Sequence, residues 1–310
     1  MVNNRSNSFV ENFHQKKLSF SWYLLGSLII IIFSFLGQIP TMFFLPDQLP
    51  SSANQMDVFA HLDSNLTLSL LLIPSFVAFF GFLLVVYRLH QQTIISVTTS
   101  REKIDVKRIF FGFVFWGGLS ILLFGVDLFL SPEDYQWNFK FLPFLLMFLI
   151  SCALIPFQSA LEEWIFRGYL MQGFATLTKS RLLSLLLTSI IFGSLHILNP
   201  EIDKLGYGLL AYYIGTGLFF GIMSLMDEGI ELAIGFHVAN NLITALLVTA
   251  DWTAFQTESL FKDVSNPSLL PELILFLVFI YPLTLVLLAK KYRWGNWAYK
   301  LTARIYDDKT

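Results

Sequence analysis

The chain has 310 residues, of which 55% are hydrophobic and 14% are charged. Because soluble domains carry about 25% charged residues, this composition excludes an ordinary soluble domain and indicates an integral membrane protein. The net charge of -2 provides no basic surface for nucleic acid. The single cysteine, Cys152, excludes an intramolecular disulfide and a multi-cysteine metal site.

Apolar segments follow one another along most of the chain. A helix needs about 20 apolar residues to cross the hydrocarbon core of a bilayer, and eight segments approach that length. They lie at 23–44, 66–87, 109–130, 139–157, 182–198, 206–226, 230–250 and 269–289. We therefore predict an all-α, polytopic membrane protein of about eight transmembrane helices, whose polar residues face a central cavity.

The distribution of Lys and Arg predicts which loops share a side, since cytoplasmic loops are enriched in these residues. Apart from Arg167, the termini and every second loop hold sixteen of them: Arg5, Lys16, Lys17, Arg88, Arg101, Lys103, Lys107, Arg108, Lys179, Arg181, Lys290, Lys291, Arg293, Lys300, Arg304 and Lys309. The opposite loops hold only Lys140, Lys204 and Lys262. This asymmetry favours cytoplasmic N- and C-termini, and we expect the chain in a bacterial cytoplasmic membrane.

The stretch 139–178 is too long for one straight span. Pro143 and Pro156 both break intrahelical hydrogen bonds because proline lacks an amide hydrogen. We predict that Pro156 bends or ends the fourth helix, and that the Glu162 motif opens a further helical piece.

Three short polar motifs interrupt the later apolar segments. They are Glu162-Glu163-Trp164-Ile165-Phe166-Arg167, Phe192-Gly193-Ser194-Leu195-His196 and His237-Val238-Ala239-Asn240-Asn241. An ionisable side chain at the middle of a bilayer costs roughly 2.5–3.5 kcal/mol on insertion scales, so such residues normally face a cavity and have a function.

The first motif offers a general base. Glu163 and Arg167 lie four residues apart on one helical face, so they can pair and reduce each other's desolvation cost. Glu162 points about 100° away and lacks that partner, and a carboxylate in an apolar cavity holds protons more tightly. This behaviour suits a base that works near neutral pH. The alternative is an interfacial charge cluster that only anchors a helix end.

The other two motifs offer imidazoles and an amide. His196 follows Phe192 by one helical turn, and a lone histidine there is more often a packing residue. His237 and Asn241 are four residues apart, so both side chains leave one face and could direct two donors at one oxygen, as an oxyanion site requires. By itself this pair could equally form an interhelical hydrogen bond.

Taken together and in order, Glu-Glu-x-x-x-Arg, Phe-x-x-x-His and His-x-x-x-Asn resemble the motifs of the CPBP (CAAX protease and bacteriocin-processing, or Abi) family, which includes the type II CAAX prenyl endopeptidases. The resemblance covers about residues 145–250. It implies an intramembrane endopeptidase in which Glu162 and His196 orient and deprotonate a water. It also implies that His237 and Asn241 stabilise the oxyanion, with Glu163, Arg167 and Phe192 supporting the site.

The predicted domain organisation follows from the helix count and this resemblance. It comprises a cytoplasmic tail at 1–22, N-terminal transmembrane helices at 23–140, a CPBP-like catalytic core at 141–250, an outer loop with the last helix at 251–289, and a basic cytoplasmic tail at 290–310.

The sequence is compatible with both a zinc-dependent and a metal-free reaction. Glu162, His196 and His237 could hold Zn²⁺ and leave a position for water, and the family is often labelled metalloprotease. A glutamate and a histidine can also activate water without metal, and we favour that reading.

The expected partners are a membrane-associated peptide or protein substrate and the lipid bilayer, and no nucleic acid. Two other functions remain as alternatives. One is a non-catalytic immunity or scaffold protein that binds a peptide or sensor kinase through the same cavity. The other is a small transporter with a Glu/His proton relay.

Overall fold

The computed structural model of the chain describes residues 8–11, 18–46, 58–59 and 61–305. Parts of both predicted tails, with Arg5, Lys16, Lys17 and Lys309, lie outside the described residues. Within them the secondary structure is almost entirely helical, which confirms the predicted all-α class.

The helices are α1 (Phe20–Gly37), α2 (Ile39–Met42), α3 (Ser64–Leu84), α4 (Val106–Leu130), α5 (Phe141–Glu163), α6 (Met171–Thr178), α7 (Arg181–Ser194), α8 (Pro200–Leu205), α9 (Leu209–Asp227), α10 (Glu231–Leu247), α11 (Leu269–Leu273), α12 (Tyr281–Tyr292) and α13 (Trp297–Thr302). Wider π-helical turns continue three of these helices: α3 through Val85–Leu89, α5 through Trp164–Leu170 and α11 through Ile274–Ile280.

In the described part of the chain, six helical stretches are long and apolar enough to cross a membrane. They are Phe20–Met42, Ser64–Leu89, Val106–Leu130, Phe141–Thr178, Leu209–Asp227 and Leu269–Tyr292. The apolar helices α7 and α10 have only 14 and 17 residues, whereas a straight crossing needs about 20. The structure therefore confirms a multispanning helical protein but does not confirm the count of eight.

The helix that carries the first motif does not end at Pro156. Helix α5 runs through this proline to Glu163, and the π-helical turn and α6 extend the helical stretch to Thr178. Pro156 therefore does not end the fourth helix, and the further helical pieces continue it directly from the Glu162 motif. Proline removes one hydrogen bond, and neighbouring helices can support the freed carbonyl within an apolar bundle.

One end of the bundle, here called the basic end, is formed by residues 90–105, 179–180, 228–230 and 293–305. Isolated backbone bridges join these loops, from Thr99 to Gly229 and from Ser180 to Arg304. The Lys300 ammonium contacts the Glu228 carboxylate at 3.3 Å. The loops that the charge distribution predicted to share a side therefore meet at one end of the molecule.

The opposite end, here called the sheet end, is formed by residues 131–140, 195–208 and 248–268. Its centre is a small sheet in which β3 (Phe261–Asp263) pairs antiparallel with β1 (Tyr135–Trp137) and parallel with β2 (Val248–Thr249). The Ala254 amide donates to the Glu201 carboxylate at 2.8 Å, which ties α8 to the same end.

Helix α10 lies centrally because small residues allow close packing against α4. A Cβ added at Gly235 would lie 2.1 Å from the Ile109 carbonyl oxygen, and one at Gly112 would lie 2.8 Å from that of Leu232. Helix α10 also contacts α5 and α9. This packing places the third motif opposite the first.

Candidate active site

The predicted site residues surround one large cavity inside the helical bundle. The cavity has a volume of about 1400 Å³, and Glu162, Phe192, His196, His237 and Asn241 all line it. Glu163 and Arg167 are fully buried. The structure thus brings side chains from all three motifs together, although they come from helices that are far apart in the sequence.

Glu163 connects the first motif to the third. Its Oε1 accepts from Arg167 Nη1 at 2.8 Å and from His237 Nδ1 at 2.7 Å. The Glu163–Arg167 pair has the predicted i,i+4 geometry. Since a carboxylate oxygen only accepts, the proton of a neutral His237 ring is on Nδ1, and Nε2 is left for chemistry.

The Arg167 guanidinium is held from two further directions. Its Nη2 donates to the Gly217 carbonyl at 3.2 Å, and its Cζ lies 4.4 Å from the centroid of the Phe192 ring. A cation over an aromatic face is attracted by the ring quadrupole. Arg167 is therefore fixed beside Glu163 and holds that carboxylate in place.

Glu162 lies on the cavity wall, where 28% of its side chain is exposed. One oxygen accepts from the Gln158 side-chain amide, and Oε2 lies 3.7 Å from Nε2 of His237. This carboxylate is therefore reachable from the cavity, whereas that of its neighbour Glu163 is fully buried.

Asn241 is engaged within the protein. Its Nδ2 donates to Gln158 Oε1 and to Ser159 Oγ, both at 3.1 Å, and its Oδ1 accepts from Asn240 at 3.1 Å. Both amide hydrogens therefore have partners. A donor role towards an oxyanion stays a prediction, and it requires the amide to release one of these contacts.

His196 lies in the turn after α7, because this helix ends at Ser194 and not at the predicted end of the segment 182–198. Its Nδ1 donates to the Phe192 carbonyl at 2.9 Å, and its ring stacks on Tyr213 with centroids 4.1 Å apart. The Phe192 ring contacts both imidazoles, at centroid distances of 5.0 Å from His196 and 6.2 Å from His237. With Nδ1 anchored, Nε2 of a neutral His196 ring is the unprotonated nitrogen.

The three residues that could hold Zn²⁺ do not converge as a ready site. Their donor types suit zinc, and both imidazoles have Nδ1 anchored, which is typical of metal ligands. However, no group of three His, Cys, Asp or Glu side chains in the described chain is arranged to hold a metal ion. Glu162, His196 and His237 as placed therefore do not fit a zinc centre.

Several polar residues of the site were not predicted. Gln158, Ser159 and Asn240 complete the hydrogen-bond network, and Trp116 Nε1 donates to Asn240 at 3.1 Å. Gln158 could have been found, because it precedes Glu162 by four residues and therefore shares its helical face. Trp116 carried no such signal, since its contact with α10 depends on tertiary packing.

Comparison with known proteins shows which family this core is similar to. Residues 140–243 match the model of the family described as type II CAAX prenyl endopeptidase Rce1-like, and all three motifs fall within that range. The resemblance drawn from the motifs is thereby confirmed for about a third of the chain.

Among curated proteins, the uncharacterized protein YyaK of Bacillus subtilis (strain 168) is 31% identical to this chain over 155 residues. The aligned part is 50% of this chain and 52% of YyaK, so the chain spans about half the length of this relative. No solved structure matches the chain.

Proposed function

We propose that this protein is an intramembrane endopeptidase that hydrolyses peptide bonds of membrane-associated peptides or proteins with a water activated by glutamate and histidine. The observation that most directly supports this proposal is the reachable Glu162 carboxylate. It lies 3.7 Å from His237 Nε2 in a cavity of about 1400 Å³ inside an apolar bundle. The Rce1-like match over residues 140–243 supports the same activity.

In the proposed reaction, Glu162 accepts a proton from a water in the cavity, and His196 orients that water through its unprotonated Nε2. The water oxygen attacks the carbonyl carbon of the substrate, which forms a tetrahedral intermediate. Glu162 then returns the proton to the leaving amine as the C–N bond breaks. General acid–base catalysis of this kind contributes about 10²–10⁴-fold in rate.

His237 and Asn241 are proposed to stabilise the negative oxygen of the intermediate. When the His237 ring carries both protons, Nδ1 donates to Glu163 and Nε2 donates to the oxyanion. Asn241 supplies a second donor when the substrate oxygen replaces Gln158 or Ser159 as its partner. Arg167 holds the Glu163 carboxylate in place, and the Phe192 ring lies between the two imidazoles.

The proposed setting is a bacterial cytoplasmic membrane with both termini in the cytoplasm. The gathering of the Lys- and Arg-bearing loops at the basic end supports this orientation. In this setting the substrate is a peptide or protein that is itself held at the bilayer.

The test is the appearance of new peptide termini in membranes of host cells that express the chain, measured by terminal labelling and mass spectrometry. We expect cleavage products with the parent, a loss of about 10²–10⁴-fold in Glu162→Gln, and a comparable loss in His196→Ala. Glu102→Gln makes the same chemical change at an exposed loop residue and should cleave like the parent.

The controls separate this proposal from its alternatives. Cleavage that persists in Glu162→Gln would contradict the proposed base. A peptide bound equally by the parent and Glu162→Gln, with no product from either, would support the non-catalytic binding protein. Cleavage that a chelator abolishes and zinc restores would replace the metal-free reaction with a metal-dependent one.

A further inference from the structure

The cavity is asymmetric along the bundle. Its lining includes sheet-end residues such as Asn199, Glu201, Trp252 and Asp263, together with the adjoining helix ends at Leu130 and Glu272. No residue of the basic-end loops that the structure describes contributes to it. The cavity therefore reaches from the motif residues towards the sheet end and stops short of the basic end.

The charge of the lining is also one-sided. Five carboxylates line the cavity: those of Asp127, Glu162, Glu201, Asp263 and Glu272. No Lys or Arg is among the described lining residues. A cleft lined by charges of one sign raises the local concentration of ligands of the opposite sign.

The four carboxylates nearer the sheet end have no cationic partner in the described chain. Asp127 accepts from the Tyr135 hydroxyl, Glu201 from the Ala254 amide and Asp263 from the Ser265 amide, but none of them forms a salt bridge with a described residue. The charges of Asp127 and Asp263 both act on Glu272. The protein thus gathers acidic side chains here that have no cationic partner among the described residues.

Two unpaired polar atoms accompany these carboxylates. Oε2 of Glu201 and the indole nitrogen of Trp252 are buried without hydrogen-bond partners, and both residues line the cavity. Burial raises the pKa of the Glu201 carboxyl, although the Ala254 amide opposes this effect. A buried unsatisfied group costs free energy. A bound cation would reduce this cost at the Glu201 oxygen, whereas the Trp252 indole N–H is a donor and needs an acceptor such as a peptide carbonyl.

We propose that the substrate enters the cavity from the sheet end, and that the part of it lying between the entrance and Glu162 is a cationic peptide segment. The volume of about 1400 Å³ exceeds the roughly 300–1,000 Å³ of sites for drug-sized molecules, which agrees with an extended peptide. This inference rests on the proposed function for the identity of the site but adds the charge of its substrate and the side of entry.

Binding of defined peptides tests the charge. The probes are three fluorescent peptides with the same apolar residues, whose polar positions are all lysine, all glutamine or all glutamate. Full-length protein in detergent should bind the lysine peptide about tenfold more tightly than the glutamine peptide, and the glutamate peptide least. The preference should shrink at roughly 1 M salt, where the Debye length is about 3 Å.

A matched pair of variants locates the effect. The triple variant Glu201→Gln, Asp263→Asn and Glu272→Gln neutralises cavity carboxylates and should lose the preference for lysine. The control Glu133→Gln, Asp134→Asn and Asp203→Asn removes the same charge from acids near the same end that do not line the cavity, and it should keep the preference. Equal binding of all three peptides, or equal behaviour of the two triple variants, would overturn the proposal.

The side of entry has its own readout. In a Cys152→Ala background, Thr253→Cys places a thiol on the cavity wall, whereas Glu102→Cys places one at the basic end. A membrane-impermeant maleimide added to intact cells should label the first cysteine only, and added lysine peptide should protect it. Labelling of the basic-end cysteine alone would overturn the proposal that the substrate enters from the sheet end.

These assays do not require hydrolysis. Charge-selective binding without products would remove the peptidase function and keep this inference. Products formed equally from all three peptides would keep the peptidase function and remove the inference.

Discussion

Next to the basic end, Asp227 and Glu231 are buried against arginines. At the sheet end, Asp263 and the adjoining Glu272 line the cavity with no cationic partner in the part of the chain that the structure describes. The Asp227 side chain is 1% exposed and contacts Arg101 at 2.9 Å and Arg108 at 2.5 Å. Glu231 contacts Arg101 at 3.1 Å. The same residue types therefore serve different purposes. The paired acids join loops to helices. The unpaired acids face the cavity and form no ion pair with a described residue.

This difference indicates where the molecule gives up stability for function. Paired, hydrogen-bonded charges are tolerated in a protein interior, whereas unbalanced charges in a cavity cost free energy and are expected mainly at functional sites. The candidate active site combines both kinds of acid. Glu163 is buried and paired with Arg167, whereas the neighbouring Glu162 is reachable from the cavity.

The largest effect on stability should come from breaking the paired end. Asp227→Asn leaves Arg101 and Arg108 without the carboxylate that they share. We expect a loss of about 3 kcal/mol in the free energy of unfolding, at the low end of the usual range because both arginines are partly exposed to solvent. Denaturant unfolding in detergent measures this change.

Asp203→Asn is the matched control for that variant. Asp203 is exposed on α8, so the same substitution should change the unfolding free energy by less than about 0.5 kcal/mol. Equal unfolding curves for the two variants would mean that the Asp227 network contributes nothing measurable.

A smaller effect, on rate, should come from Gln158. This side chain donates to Glu162 and accepts from Asn241, so it fixes the proposed base relative to the proposed oxyanion donor. Gln158→Leu should lower kcat by about 10–100-fold, as expected for a displacement of reacting groups, and leave KM unchanged.

Gln136→Leu provides the control for this prediction, because Gln136 is exposed on β1 and does not line the cavity. It should retain the kinetics of the parent. If Gln158→Leu raises KM with kcat unchanged, the side chain binds substrate and does not position the base.

The sequence predicted the local part of this site and missed the long-range part. The Glu163–Arg167 pair follows from helical spacing alone. The contact of Glu163 with His237 joins residues 74 positions apart, and only the packing of α10 against α5 creates it. The same packing engages Asn241 with Gln158 and Ser159, which is the interhelical hydrogen bond that its spacing from His237 left open beside a donor role.

The fold shows the same division. Hydropathy and loop charge predicted a helical bundle and the loops that meet at the basic end. They did not reveal the sheet, since strands of 3, 2 and 3 residues are too short to show an alternating pattern. They also left open whether Pro156 ends the fourth helix, which it does not, because the cost of a helical proline depends on its neighbours.

The smallest expected effect has the opposite sign and concerns the sheet end. In the triple variant Glu201→Gln, Asp263→Asn and Glu272→Gln, each new side chain keeps a carbonyl oxygen, so the contacts with the Ala254 and Ser265 amides can remain. Removing the like charges should raise the free energy of unfolding by about 1 kcal/mol at low salt. The gain should disappear at roughly 1 M salt, where exposed charges are screened.

Unfolding of this variant beside Asp227→Asn at both salt concentrations makes the comparison direct, since both experiments neutralise acids of one molecule. A triple variant that unfolds more easily than the parent would show that these carboxylates stabilise the sheet end. A structural role would then explain these carboxylates without a bound cationic peptide. A stabilised variant that no longer prefers the lysine peptide would tie the stability cost to binding, because the same three charges would account for both measurements.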